Sequence, residues 1–491
     1  MPAPTVVIGV DSSTQSAKAV LVDTATGRTL ATGRAAHRVS GEAGARESDP
    51  EEWWRALREA VAEGLGRSGV PAASVAGIAV AGQQHGLVTL DGSGRPLRPA
   101  LLWNDTRSAP QAAALGEALG GPRAWAELTG SAPVAAVTAA KWQWLREHEP
   151  RTAAATAAVR LPHDFLTERL SGVPVTDPGD ASGTGWYATA TGAYDPGILD
   201  LLGLDRALLP EVAPGGAARA GGLLAPAAAE LGLPSGIAVA AGTGDNMAAA
   251  VGLGLGGAGL LDRPVLSLGT SGTVFAATRS RPVSPALSGF AATDGVYLPL
   301  GCTLNCTRAV DKVAALLGLD RERAEPGGET VLLPFLDGER TPDLPAASGL
   351  LTGLRHTTSR EQILGAAYEG ATVAVLRALD EVLRACGLDP TEPATAAGTL
   401  RLVGGGARGR QWVETVRRLS GRPVLVPREP ELVAVGAAAL AAGAATGEDP
   451  VRLAAAWGTG DGTELPAVAR DTETWERVSE ALERARAGFP R

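Results

Sequence analysis

The sequence predicts an α/β chain of two domains, and three observations lead there. Its 491 residues exceed what a single hydrophobic core usually organises. Short apolar runs that read as strands alternate along the chain with patterns that read as helices. A strand, a Ser/Thr-rich turn and a second strand occur at residues 6–22, and the same order returns at residues 265–277. That repeat suggests the same unit in each half, although two similar hairpins also arise in unrelated α/β chains.

The elements follow in order. Residues 6–10 (VVIGV) and 19–22 are apolar and flank the polar stretch 11–16, which makes a β-hairpin. Asp49 as N-cap, Pro50 in the first turn and Glu51 and Glu52 behind it start a helix, with Trp54, Leu57, Val61 and Leu65 as its buried stripe. Residues 75–81 read as a strand that ends in GQQHG at 82–86. Lys141, Trp142, Trp144 and Leu145 sit on a helix. Residues 236–241 are a strand running into GTGD at 242–245, with a small-residue helix from Asn246 to Gly252 behind it. The second hairpin turns at residues 269–272 (GTSG). Thr358, Ser359, Glu361 and Gln362 offer overlapping capping boxes for a long helix whose face carries Ile363, Ala367, Ala371, Val375, Leu379 and Val382. Residues 400–403 are a strand leading into GGGARG at 404–409, and a helix opens near Gln411. The division between the halves falls near Gly244, giving 1–244 and 245–491, and without a linker the two domains should be tightly hinged.

Composition narrows the function. Hydrophobic residues make up 45% of the chain, enough for two cores, and the net charge is −9. An acidic chain lacks the basic face a general nucleic-acid binder needs. It can still hold an anionic substrate, because clustered backbone N–H groups bind phosphate without net positive charge. Cys302, Cys306 and Cys386 are too few for a disulfide scaffold, and no second pair or histidines complete a zinc site. No apolar stretch is long enough to cross a membrane, and the start of the chain runs directly into a strand. The expected location is the cytoplasm.

Phosphoryl transfer needs donors around the phosphates, a metal ion, and a base or orienting group at the acceptor hydroxyl. The turns at 12–16, 269–272 and 404–406 each follow a strand and offer backbone N–H groups, hydroxyls and glycines that let the backbone approach phosphate closely. Taken singly, each is more often an ordinary turn, but three of them, each after a strand, are harder to dismiss. Asp245, between a buried strand and a helix, stands where α/β sheets place functional groups and can accept a hydroxyl proton; it reads equally as a helix N-cap. Asp11, at the end of the first strand, can hold Mg²⁺ directly or through water, or close an Asx-turn. His85 and Gln84, at a strand end, can read sugar hydroxyls, and His85 reads equally as a turn histidine. Residues 254–259 match GxGxxG but follow a helix rather than a strand, so the dinucleotide reading is weak. There is no GxxxxGK[ST] loop, and none of the three lysines, Lys18, Lys141 and Lys312, sits in that context.

Six motifs together resemble the FGGY family of carbohydrate kinases, from about Val6 to about Gly443. They are DSSTQSAK at 11–18, GQQHG at 82–86, LWNDTR at 102–107, GDN at 244–246, PFLDGERTP at 334–342, and GGGAR at 404–408 followed by Trp412. The resemblance implies two actin-like (ribonuclease-H-like) domains flanking a catalytic cleft, in which ATP and sugar meet with Mg²⁺. It implies Asp245 as proton acceptor, with Asp11 as the second catalytic carboxylate and metal ligand. It places Gln84, His85, Asn246 and Trp103 on the substrate, and Ser13, Thr14, Thr270, Gly405 and Gly406 near ATP. Ser13 departs from the glycine many members carry, which bears on how closely that turn approaches phosphate. Glycerol kinases carry an Arg-Glu pair where Gln84 and His85 stand, which argues against glycerol.

The motifs are most like the xylulose-phosphorylating branch, so D-xylulose is the expected substrate. Ribulose, gluconate or another ketose is the alternative within the family. A non-kinase ATPase of the actin and heat-shock-chaperone superfamily is the alternative outside it. The expected partners are a small-molecule sugar and ATP, with neither nucleic acid nor membrane; a homodimer is allowed.

Overall fold

A computed structural model describes residues 5–256, 263–292, 295–341, 344 and 347–486. The last three residues of the GxGxxG match, 257–259, and Pro342 of the GERTP stretch lie outside the described residues.

Strands β1 (Val6–Ser12) and β2 (Ser16–Asp23) form the first predicted hairpin. The ladder runs further than the apolar residues do: Asp11 lies opposite Lys18 and Ser12 opposite Ala17, so only residues 13–15 form the turn. β3 (Thr29–Ala36) pairs antiparallel with β2. Helix α1 (Pro50–Ser68) begins as its sequence predicts, with the Asp49 carboxylate accepting from the Glu51 N–H at 3.0 Å. It buries Trp54, Leu57 and Val61 against this sheet, with Leu65 half-buried. β4 (Val75–Gly82) runs parallel to β1. Helix α2 (Pro162–Ser171) follows, and β5 (Ala238–Ala240) runs parallel to β4. Thr243 and Gly244 then pair with Ala81 and Gly82 before helix α3 (Asp245–Gly252) starts.

The second half repeats the plan. β6 (Val265–Leu268) and β7 (Gly272–Phe275) form the second hairpin, and β8 (Tyr297–Thr303) pairs antiparallel with β7. Helix α4 (Arg360–Ala385) starts at a capping box in which Ser359 and Gln362 bond each other's backbone N–H groups at 3.0 Å. β9 (Leu400–Val403) runs parallel to β6, and β10 (Val424–Pro427) parallel to β9. The orders β3-β2-β1-β4-β5 and β8-β7-β6-β9-β10 are the same, with the same pattern of parallel and antiparallel neighbours. This is the ribonuclease-H-like arrangement, present twice.

Helix α5 (Leu432–Thr446) is apolar all round and buried, although it comes late in the chain. With α3 it packs on the first sheet, its alanines against Val7, Val20, Ala79 and Ala240. The fit depends on Gly9 in β1, where a Cβ would lie 1.9 Å from the Ala434 carbonyl oxygen. The second sheet has its own core, in which the rings of Tyr368 and Trp412 meet edge to face at 4.9 Å. A smaller cluster around Trp125, Trp142, Trp144 and Trp186 supports the loops of the first half. The halves meet where the Gly289 N–H donates to the Gly130 carbonyl at 2.8 Å and the Ala291 N–H to the Ser182 hydroxyl at 3.0 Å. Among the described residues no helix is long and apolar enough to cross a membrane.

Candidate active site

β1 and β4 are parallel neighbours, so their C-terminal ends open at one edge of the sheet, where α/β folds gather functional groups. Asp11 and Ser12 end β1, and the Gln83 N–H donates to the Ser12 carbonyl at 3.0 Å. Because residues 243–244 join the same edge, Asp245 arrives beside Gln84. Asp245 is not the helix N-cap: Gly244 takes that position, and Asp245 is the first helical residue. Its Oδ1 accepts from the Asn246 N–H at 2.8 Å and from Asn246 Nδ2 at 3.0 Å. Desolvation at the cleft floor, and then the negative charges of Asp11 and Asp180, push its carboxyl up to about 7.

Gln84 and Asn246 are joined directly, Asn246 Nδ2 donating to Gln84 Oε1 at 2.9 Å. The Gln84 amide in turn faces Asp180, its Nε2 3.4 Å from Oδ1. His85 has φ of 64°, in the left-handed region that a residue with a Cβ enters only when its surroundings hold it there. Its Nδ1 donates to the Gly183 carbonyl at 2.7 Å, and its backbone carbonyl accepts from Thr138 Oγ1 at 3.2 Å. Burial, then the charges of Lys141 and Arg340, push the imidazole down to about 3. The ring is therefore neutral near pH 7, and with the proton on Nδ1 its Nε2 is an acceptor suited to a hydroxyl. Arg340, from the second half, lines the same small cavity as His85, Ser131 and Ser182. Trp103 is tied to the first turn, its indole Nε1 donating to Thr14 Oγ1 at 3.1 Å.

The first turn is tied from several directions. The Ser13 hydroxyl donates to Asp11 Oδ1 at 2.7 Å, and the Ser13 carbonyl bonds His37 Nε2 at 3.0 Å. Ser13 is not among the residues with positive φ, so the side chain costs no backbone strain there. Lys18 lies 3.5 Å from Asp11 Oδ2 and 2.7 Å from Glu431 Oε2, which links the hairpin to the start of α5. In the second turn Thr270 is exposed, while the Gly269 carbonyl is held by Thr307 Oγ1 at 2.7 Å. In the third, Gly405 is open to solvent, and a Cβ on Gly406 would lie 2.8 Å from that of Leu268. The third turn thus packs on the end of β6, where the second turn begins.

The N-terminal domain of the FGGY family of carbohydrate kinases matches residues 6–252, and its C-terminal domain matches residues 265–445. The chain belongs to the FGGY family of carbohydrate kinases. It is similar to a xylulose kinase of Streptomyces rubiginosus, 58% identical over 97% of this chain and 95% of that one. Against a xylulose kinase of Streptomyces coelicolor it is 57% identical over 97% and 95%. Among solved structures, xylulose kinase from Bifidobacterium adolescentis superposes with a TM-score of 0.80 at 33% identity, over 98% of this chain and 99% of that one.

An FGGY kinase works with ATP. Among the described residues no group of three or more His, Cys, Asp and Glu side chains could cage a metal ion. The two carboxylates at the cleft floor still fit Mg²⁺, which keeps several waters and takes one or two protein carboxylates together with phosphate oxygens. Asp11 is buried and its carboxyl pushed up, first by desolvation, and the charges of Asp11 and Asp245 oppose each other. Lys18 offsets part of this repulsion, and a cation would relieve the rest.

Sequence reasoning missed a group of buried residues behind the FGGY site. His163, at the start of α2, bonds Asp180 through Nδ1 at 2.7 Å, and its Nε2 lies 3.2 Å from Asp164 Oδ1 and 3.8 Å from Asp177 Oδ1. Burial opposes its charge, but these carboxylates outweigh it and raise the imidazole to about 9. Asp177 caps the helix Pro178–Ala181 and accepts from the Thr243 hydroxyl at 2.7 Å. The Asp177-Pro178 pair is a helix-start signal, but nothing in its spacing points to Gln84. Glu339 and Arg340, within the GERTP stretch, also carried no assigned role. Glu339 accepts from the Leu304 N–H at 2.5 Å and from Asn305 Nδ2 at 3.0 Å, and so holds the loop beyond β8.

Proposed function

We propose that this FGGY kinase transfers the γ-phosphoryl group of ATP to the terminal hydroxyl of D-xylulose. The observation that carries this reading is Asp245, a cleft-floor carboxyl held near pKa 7 and bonded through Asn246 to Gln84. A general base works best when its pKa lies near the operating pH. The hydroxyl oxygen attacks the γ-phosphorus, its proton passes to Asp245, and the bond from the γ-phosphorus to the bridging oxygen breaks to release ADP. Ser13, Thr14, Thr270, Gly405 and Gly406 face ATP; Gln84, His85, Asn246 and Trp103 face the sugar. Asp11 would hold Mg²⁺, directly or through water, and the ion would supply neutralisation of phosphate charge. In this reading the chain divides near Gly244 into an N-terminal domain with the sugar loop and a C-terminal domain with the adenosine side. The enzyme acts in the cytoplasm.

The choice of D-xylulose is supported by the names of the Streptomyces relatives, whose likeness spans nearly the whole chain. It is supported also by the number of polar groups at the sugar end. A site built to bond hydroxyls rejects analogues that leave its buried polar groups unpaired. ADP release measured over a panel of ketoses and polyols with Mg-ATP tests the reading. D-Xylulose should exceed glycerol in kcat/KM by at least about a hundredfold, roughly 3 kcal/mol in transition-state binding. His85→Ala should narrow that gap by weakening D-xylulose more than glycerol. Equal use of the two by the wild type would overturn the substrate assignment.

A further inference from the structure

Gln84 and Asn246 each end in an amide whose two atoms are alike in shape and opposite in hydrogen-bonding sense. Which atom faces the sugar decides what the site can read, and neither residue settles that by itself. In this fold the choice is made from behind. Asp180 is fully buried and, when ionised, only accepts hydrogen bonds. Its Oδ1 faces Gln84 Nε2 at 3.4 Å, which turns Gln84 Oε1 toward Asn246. Asn246 Nδ2 donates to that oxygen at 2.9 Å and to Asp245 Oδ1 at 3.0 Å. Asn246 Oδ1 and Asp245 Oδ2 are then the atoms left for substrate, and both are acceptors. Two hydroxyl donors suit such a pair: the attacking hydroxyl on Asp245 and its neighbour on Asn246.

Asp180 is itself held. His163 Nδ1 bonds its Oδ2 at 2.7 Å. Its backbone N–H donates to Asp177 Oδ1 at 3.0 Å, and Asp177 reaches Thr243, two residues before Asp245, at 2.7 Å. One short helix therefore touches both ends of the chain of bonds. Resting on the proposed kinase reading, we infer that Asp180 is a positioning residue: through Gln84 and Asn246 it sets the donor–acceptor direction that aims Asp245 at the sugar. A reversed Gln84 amide would set its carbonyl against the Asp180 carboxylate. A reversed Asn246 amide would set an oxygen against Asp245.

The test is a set of substitutions that change hydrogen-bonding sense and keep shape, assayed on D-xylulose with Mg-ATP. Asp180→Asn alone should lower kcat by about tenfold, about 1.4 kcal/mol, with KM for ATP unchanged. Gln84→Glu alone, which sets acceptor against acceptor, should lower it at least as far. Combined, the two restore a donor facing an acceptor with their places exchanged, and kcat should rise at least about fivefold above Gln84→Glu alone. In a Gln84→Ala background assayed above pH 8, where Asp245 is ionised with or without the Asp180 charge beside it, Asp180→Asn should cost less than about twofold, since its hydrogen-bonded route to Asp245 is gone. Losses that simply multiply in both combinations overturn the inference, because a residue that only supports the fold has no reason to act through Gln84. Where Asp180→Asn alone does not yield folded protein, judged by its melting curve, the combined Gln84→Glu and Asp180→Asn variant still decides the matter. Wild-type turnover on D-xylulose tests the kinase reading separately, so an active wild type with multiplying losses sinks the positioning role alone.

Discussion

Asp245 carries two demands that pull against each other. A carboxyl raised to about 7 is suited to take a proton, and the same desolvation and like charges oppose its ionisation in the folded chain. Replacing it by Asn should lower kcat by roughly 10²–10⁴, the usual contribution of a positioned base, and sugar binding should survive better than turnover. In the proposed mechanism Asp245 must be ionised to act, so wild-type kcat/KM should fall about tenfold per pH unit below a midpoint near 7. The stability effect has the opposite sense. The folded pKa lies above the unfolded value of about 3.9, so ionisation disfavours the fold. That cost is complete above pH 7 and fades as the pH falls toward 4. Asp245→Asn should therefore raise Tm, and raise it more at pH 8 than at pH 5; an equal gain at both would remove the buried carboxylate from the stability balance. At the same scale, Asp245, Gln84 and His85 were legible because each ends or follows an apolar strand in a polar motif. Asp180 was not, since its importance lies in a contact 96 positions away in the chain.

The two hairpins are alike as elements and differ in their attachments. Both join antiparallel strands by a short turn at the start of a sheet, and both stand beside a parallel strand ending in glycine-rich or polar residues. Thr14, however, receives the Trp103 indole N–H, whereas Thr270 stands exposed at its turn. Thr270→Val should therefore raise KM for ATP with little change in that for sugar. Thr14→Val should raise both, because it also releases Trp103. Steady-state kinetics with each substrate varied in turn checks this, and unchanged ATP parameters in both variants would count against the paired-hairpin reading. Hairpins, the capped starts of α1 and α4, and the strands before Gln84 and Asp245 were all readable from local pattern. The ladder of the first hairpin runs past the apolar residues to include Asp11 and Ser12, because pairing partners in the fold satisfy polar residues that periodicity alone assigns to a turn.

At the scale of the molecule, the chain builds two sheets of one design, and the last long apolar helix of the second half lies on the sheet of the first. The halves also touch at Gly130 and Gly289 and at Ser182 and Ala291, next to the cavity shared by His85 and Arg340. Phosphates bound between two lobes remain open to water until the lobes close. D-Xylulose with a non-hydrolysable ATP analogue should reduce the radius of gyration in solution scattering. The change should be absorbed near Gly244 and the other segments that join the lobes. An identical radius at proven saturation with both ligands would rule closure out.

By itself the sequence determined the α/β class, the duplicated hairpin, and the ordered set of six motifs that carries the family likeness. These are local facts: apolar periodicity, turn chemistry and cap residues act over a few positions, and a motif keeps its spacing whatever the rest of the chain does. Only the tertiary structure decided that Thr243 and Gly244 join the edge of β4, which sets Asp245 beside Gln84. Only it decided that His163 and three carboxylates stand buried behind Gln84, and that α5 crosses back to cover β1 at Gly9. The physical reason is the same in each case. A buried charge must find its partner and an apolar helix its sheet wherever the fold brings them together, and distance along the chain carries no record of that meeting.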